Sequence, residues 1–496
     1  MHASWGANCW RLSVCCGLLL SAQFIVQADE FTYLDEQRQT ITIQARLAGS
    51  GQGFQVLERW DGQLQLVPAG AILNRVNTGD PEPIDAAGMR ERLMARFGEE
   101  QLRFETRPGI VVAVVLHSGL DRAAEGRCTT FLKKAATFMT NVDAVFLRFA
   151  RQMKFPLRDP RYPLVLLIFE TDQDFEAYTH EATGGRTLSA ANIVGFYSLL
   201  TNWLAVRMSG CDSFEVPLHE AIHQQMYNRV LQRLAPIPKW FDEGIATGFE
   251  ANGQNINVNP LQVNARYARQ AQRLSGQVDW RDIIRDDSAY NADVLAGDAY
   301  TLAWCLHWML AAERKEGYQQ FVQQLAELPP LGDQPAGERV AQFEQAFGTT
   351  ILKLQEQFPK ALGEAIRRQK TNLNDPFPPG YVEAQQQLGA VQLRAISTNG
   401  VTRVDGRLRN ISPLRSMTFY LTFESEFGAY ADWLFPDVKP GQTVNVPEQI
   451  PLKVIPGQPG GYSSRFRIYI RSTPSDSAAD REWKSGQVPG PVGGGR

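Results

Sequence analysis

Two histidines four residues apart, with a glutamate beside the first, restrict this chain more than any other feature. Residues 219–223 read His-Glu-Ala-Ile-His, and Glu243 follows inside Trp-Phe-Asp-Glu-Gly-Ile-Ala. Side chains at i and i+4 of a helix share a face one turn apart, so His219 and His223 can reach one metal ion. Glu220, next to the first ligand, is placed to activate a water at that ion. A third ligand has to come from elsewhere. Nineteen residues lie between His223 and Glu243, enough to finish one helix, turn, and begin a second that brings a carboxylate back.

The flanking residues agree with that geometry. Leu218 to Leu234 contains no Gly or Pro and is rich in good helix formers. Pro217 suits a first helical turn, and Pro236 and Pro238 stop the helix. Trp240 to Glu250 then reads as a short second helix. Two His and one Glu leave one coordination position open, which is the catalytic zinc pattern rather than the closed structural one. A solvated helix face that happens to carry two histidines is the plain alternative. The Trp-Phe-x-Glu-Gly-x-Ala element at this distance argues against it.

These motifs resemble those of the gluzincins, the thermolysin-like zinc peptidases in which HExxH is completed by a Glu about twenty residues on. The resemblance implies His219, His223 and Glu243 as zinc ligands and Glu220 as general base. The wider stretch 105–370 resembles the bacterial family catalogued as domain of unknown function 1570. Metzincins need Gly and His where Met226 and Arg229 stand, and the Gly-x-Met-Glu-Asn element of aminopeptidases is absent. Thermolysin-like enzymes carry an Asp where Thr247 stands, so the groups around the ligands differ here. Asp242 points about 100° away from its neighbour Glu243 on a helix and is expected to face solvent or to cap. Gluzincins often take an oxyanion donor from a downstream Tyr or His. Tyr300, 57 residues past Glu243, is the candidate, beside its reading as a core tyrosine. His307 is expected to be a satisfied core histidine, and His117 and His180 ordinary surface or strand-end residues.

Net charge narrows the partners. At −3 for 496 residues, nothing suggests nucleic acid or an anionic membrane surface. Residues 1–28 read as a secretory signal peptide: Arg11, an apolar Leu12–Val26, then Val26-Gln27-Ala28 before Asp29. A secreted or periplasmic protein is expected, with no transmembrane segment in the mature chain. The apolar run Gly109 to Leu116 is only strand-length. Beyond the signal remain Cys128, Cys211 and Cys305, of which at most one pair can form. Cys128 and Cys305 sit in helical, apolar contexts suited to small buried hydrophobes.

The expected fold class is α+β, with a gluzincin-like catalytic domain of mixed sheet, active-site helix and helical second lobe. A small N-terminal β domain and a C-terminal β-sandwich flank it. Residues 29–100 form the β-rich segment, whose Asp61-Gly62 between apolar alternations signals a hairpin, with a connector helix capped by Asp85. Residues 101–370 form the peptidase-like domain: buried strands at Ile110–Leu116 and Leu164–Phe169, a long helix over Glu125–Phe155, and a loop at Thr183-Gly184-Gly185. Residues 194–207 are to line the cleft as strand, and Leu261 to Gln369 is mostly helical. A linker spans 371–387, an immunoglobulin-like sandwich 388–473, and a disordered tail 474–496. The expected activity is zinc-dependent hydrolysis of a peptide or protein substrate, with a possible cell-envelope partner for the sandwich. The alternative is a non-catalytic envelope scaffold or binding protein with a structural zinc.

Overall fold

The Asp-Gly pair turns the chain as its setting requires, with Gly62 at φ 79. The computed structural model describes residues 29–77, 79–183, 193–250, 256–257, 259–274, 278–290, 296–374, 381–398, 401–425, 429–449, 453–454 and 466–488. The expected signal peptide and Gly184-Gly185 lie outside them. The first strands are β1 (Glu30–Leu34), β2 (Thr40–Gly51), β3 (Phe54–Arg59), β4 (Leu64–Pro68) and β5 (Ile72–Val76). They make an antiparallel sheet, order β4-β3-β2-β1-β5, around Phe31, Tyr33, Ala45, Leu57 and Val67. Helix α1 (Ala86–Phe97) follows, its N-terminus capped by the Asp85 carboxylate, which accepts from Gly88 N.

The central unit explains why its strands read as unbroken apolar runs. It comprises β6 (Leu102–Arg107), β7 (Ile110–Val115), α2 (Arg122–Gln152), β8 (Leu164–Phe169), α3 (Asp172–Ala182), β9 (Gly195–Tyr197) and β10 (Trp203–Arg207). The sheet order is β6-β7-β8-β10-β9. Strands β7, β8 and β10 are parallel, and β6 and β9 run antiparallel at the edges. Val112, Leu166 and Val206 face α2, whereas Val111, Val165 and Trp203 pack with α1 and α3. Both faces are covered, so every residue of β7, β8 and β10 is buried.

Helices α4 (Glu215–Arg229), α5 (Lys239–Phe249), α6 (Ala265–Leu274), α7 (Trp280–Arg285), α8 (Ala296–Glu313), α9 (Lys315–Glu327), α10 (Ala336–Phe347) and α11 (Ile351–Gln369) complete this unit. Helix α4 ends at Arg229, short of the expected Leu234. There the Arg158 guanidinium donates to the carbonyls of Tyr227, Val230 and Leu231 and so takes the place of further helical turns. Helix α5 lies against α8 through glycines. A Cβ at Gly244 would sit 2.5 Å from Ala303 O, and one at Gly248 2.7 Å from His307 Nε2.

The C-terminal strands are β11 (Tyr381–Gln386), β12 (Gly389–Thr398), β13 (Val401–Asn410), β14 (Met417–Ser425), β15 (Ala429–Val438), β16 (Thr443–Gln449), β17 (Lys453–Val454) and β18 (Phe466–Pro474). Among the described residues they form two antiparallel sheets, β11-β12-β13-β16 and β17-β15-β14-β18. Leu393, Leu408, Phe419, Leu421 and Ile470 fill the space between them. Two expectations need correction. The segment 371–387 is not linker throughout, because Tyr381–Gln386 pairs with β12. Val382 and Ala384 pack against the core, an alternation hidden beside three prolines. Nor is the tail disordered from 474. Helix α12 (Ala478–Lys484) is capped by Ser477 and pinned by buried Asp480, which accepts from Thr418 Oγ1 and from Asp476 N at 2.9 Å. Residues 489–496 lie outside the described ones.

The sandwich grips the central unit just ahead of α4. Arg409 makes a two-pronged ion pair with Asp212, Gln385 Nε2 donates to Ser209 O at 2.6 Å, and Arg415 pairs with buried Glu170. Phe214, which starts α4, holds φ 58, an uncommon backbone for a bulky residue. Its ring is buried against Phe131 and Phe138.

Candidate metal centre

Helices α4 and α5 meet where the two motifs predict. His219 and His223 project from α4 toward Glu243 of α5. His219 Nε2 is 3.0 Å and His223 Nε2 3.5 Å from Glu243 Oε2. One ligand atom from each of the three lies within 4.8 Å of the others. A tetrahedral ion with bonds of about 2.0–2.1 Å needs ligand atoms about 3.3 Å apart, so the trio suits such an ion.

The opposite edge of each imidazole is also occupied. His223 Nδ1 bonds Asp242 Oδ1 at 2.8 Å, and Asp242 Oδ2 accepts from Tyr227 OH at 3.2 Å. His219 Nδ1 bonds Glu250 Oε1 at 2.8 Å, and Glu250 Oε2 accepts from Tyr267 OH at 2.8 Å. A carboxylate on Nδ1 fixes the tautomer that leaves Nε2 for a metal and makes it a better donor. Asp242 is therefore buried and bonded to His223, whereas the sequence leads one to expect solvent exposure or a cap. It lies about 100° from Glu243, but α4 crosses close enough to meet both directions. Glu250 was missed. Its signal was its spacing: seven residues, two turns, after Glu243 on the same face. Thr247 does not substitute, since its hydroxyl donates to Gly244 O at 2.8 Å.

Lys239 holds the remaining oxygens, with Nζ 3.4 Å from Glu243 Oε1 and 3.6 Å from Asp242 Oδ2. Burial works against charge on both imidazoles, but the acids around them prevail. His219 is held well above its ordinary value by Glu243 and Glu250, and His223 is pushed up to about 10 by Asp242 and Glu243. Burial raises the Glu243 carboxyl, yet the two imidazoles and Lys239 bring it well below its usual range. The site is thus built to hold positive charge.

Glu220 stands outside the trio. Its Oε2 accepts from Tyr197 N of edge strand β9 at 2.9 Å, and burial raises its carboxyl above the ordinary value against the pull of both imidazoles. His219 and Glu220 face a cleft of about 320 Å³ lined also by Glu250, Arg266, Tyr267 and Tyr300. Tyr300 reaches it from α8, its ring centroid 6.0 Å from that of His219. Burial, with the charges of Glu243 and Glu220, raises its hydroxyl's pKa.

The other histidines stay away. His307 is a fully buried core residue as expected, but only half satisfied: Nδ1 bonds Tyr318 OH at 2.8 Å, and Nε2 has no hydrogen-bond partner among the described residues. His117 Nδ1 lies 3.1 Å from Asp174 at the surface, and His180 is exposed on α3. Among the described residues, Cys128, Cys211 and Cys305 are buried free thiols.

A family profile described as "Protein of unknown function (DUF1570)" matches residues 216–332, which spans α5, α8 and nearly all of α4. No curated protein matches the chain. Among solved structures, the ZmpB metallopeptidase from Clostridium perfringens aligns over 83% of this chain and 85% of its own, at 9% identity and a TM-score of 0.27. So loose an overlap carries no argument. No helix among the described residues is long and apolar enough to cross a membrane.

Proposed function

We propose that this protein is a zinc-dependent peptidase of gluzincin type, with His219, His223 and Glu243 as metal ligands and Glu220 as general base. One observation carries the reading: one atom from each of His219, His223 and Glu243 converges within 4.8 Å of the others, while a second glutamate, Glu220, stands beside them in a cleft rather than among them. A structural zinc has no use for that carboxylate, which disfavours the scaffold alternative.

Zinc at this site supplies a Lewis acid that makes water more acidic and a carbonyl more electrophilic. The chain's own groups do the rest. Asp242 and Glu250 hold the imidazoles with Nε2 inward. The Tyr197 N–H holds Glu220 Oε2, which leaves Oε1 to take a proton from the attacking water and pass it to the leaving amine. Tyr300 donates its hydroxyl proton's hydrogen bond to the developing oxyanion. Edge strand β9 offers backbone groups along which an extended substrate can pair.

Export through cleavage before Asp29, with secreted or periplasmic residence, belongs to the same proposal. So do the domain division and an envelope partner for the sandwich. The decisive experiment is Glu220→Gln. Purified protein should carry about one equivalent of zinc in both forms, with equal melting temperatures, while hydrolysis of a library-selected peptide falls by about a hundredfold or more. Equal rates in the two proteins would refute the mechanism, and zinc-free wild type prepared without chelator would refute the site.

A further inference from the structure

We propose that Arg266 makes a substrate carboxylate a recognition element of this cleft; the inference rests on the peptidase reading for what enters it. Arg266 lies in the first turn of α6 and lines the same cleft as His219 and Glu220. The cleft's other charged groups are Glu215, Glu220 and Glu250, and none of them is free. Glu250 is bonded to His219 and Tyr267, and Glu220 to Tyr197 N. The Arg266 guanidinium has no carboxylate or carbonyl partner among the described residues. It rests over the Tyr267 ring, Cζ 5.6 Å from the centroid.

An unpaired guanidinium in open water means little. Arg266 is itself exposed, at the rim of a concave site, where an entering substrate displaces part of the water that solvates it. A neutral or cationic group placed there leaves the charge poorly compensated, and a carboxylate satisfies it with two parallel N–H···O bonds. Tyr267 supports this use. Its ring carries the flat guanidinium, and its hydroxyl is tied to Glu250, so the platform is fixed by the same residue that orients His219. Selection comes as much from rejecting the wrong substrate as from holding the right one.

Two sources can present a carboxylate: the substrate's own C-terminus, or an acidic side chain beside the scissile bond. Full-length, zinc-loaded Glu220→Gln binds without turnover, so binding can be read apart from catalysis. The probes are N-acetylated hexapeptides of one neutral sequence: with a free C-terminus, with an amidated C-terminus and one Asp, or with an amidated C-terminus and no acid. One or both carboxylate peptides should bind about tenfold or more tighter than the neutral one, by fluorescence anisotropy. Adding Arg266→Ala should erase the difference while zinc content and melting temperature stay put. Arg266→Lys should restore only part of it, since an ammonium lacks the planar fork. The winning peptide separates chain-end trimming from internal cleavage beside an acid. Equal binding of all three, no binding of any, or a preference that survives Arg266→Ala would overturn the proposal. Wild type that shows the preference but cuts nothing would overturn only the catalytic reading.

Discussion

Helix α5 has two faces of opposite chemistry, and each faces a buried histidine. Toward α4 it presents Asp242 and Glu243 to His223. Toward α8 it presents Gly244 and Gly248 to His307. Both imidazoles are secluded, 7% and 0% exposed. Yet His223 is pushed up to about 10, and His307, driven by burial with no acid to oppose it, falls to about 3. Seclusion alone does not set the charge of a histidine; its partners do. One face of the helix gathers carboxylates around an imidazole, and the other packs backbone against backbone.

The largest test breaks the packing face. Gly244→Val would place its Cβ against Ala303 O and His307 Cβ, both parts of a helix that cannot yield cheaply. We expect a loss of about 3 kcal/mol or more in chemical denaturation. Unchanged stability would show that α5 and α8 can part without cost.

A pH test comes next. His307 has a folded pKa near 3, below the ordinary 6.5 of an unfolded histidine. The unfolded chain therefore binds more protons between those values. The contribution is fully present above 6.5 and is lost as pH falls toward 3. By pH 5 the loss amounts to about 2 kcal/mol. His307→Asn, which keeps a group near Tyr318 OH, should flatten this acid limb in metal-free protein. Parallel stability curves for the two proteins would mean that His307 does not titrate on unfolding.

The smallest test sharpens the acidic face. Asp242→Ala should weaken zinc binding by about ten- to a hundredfold in a chelator competition. Glu250→Gln, which keeps an oxygen able to accept from His219, should weaken it less. The reverse order would mean that the cleft-side histidine, not the buried one, anchors the metal.

The acidic face was largely legible in sequence, since His219, Glu220, His223 and Glu243 sit at spacings that helix geometry fixes. The buried strands were legible too, because a run such as Ile110–Val115 has no polar face to offer water. Asp242 was misread and Glu250 missed for one reason: a helical wheel gives the direction a residue points, but not which neighbouring helix meets it. Tyr300 was reached only through the family resemblance, and α8 brings it to the cleft from a strongly apolar stretch that gives no such hint. The early stop of α4 depends on Arg158, 71 residues upstream of Arg229, which local propensity does not weigh. The strand at Tyr381–Gln386 and the helix at Ala478–Lys484 were obscured by composition, since proline, glutamine and serine dominate their surroundings.

The clamp between Arg409 and Asp212 has a consequence in time. Its partners lie 197 residues apart in the chain. At translation rates of about 5–20 residues per second, the arginine is made roughly ten to forty seconds after the aspartate it secures. For that interval the turn entering α4, with Phe214 in its uncommon backbone conformation, lacks the sandwich against it. The helix that carries both histidines is thus synthesised well before the arginine that fastens the turn at its start. A chain cut before residue 381 would keep His219, His223 and Glu243 but lack the clamp on the turn that leads into their helix.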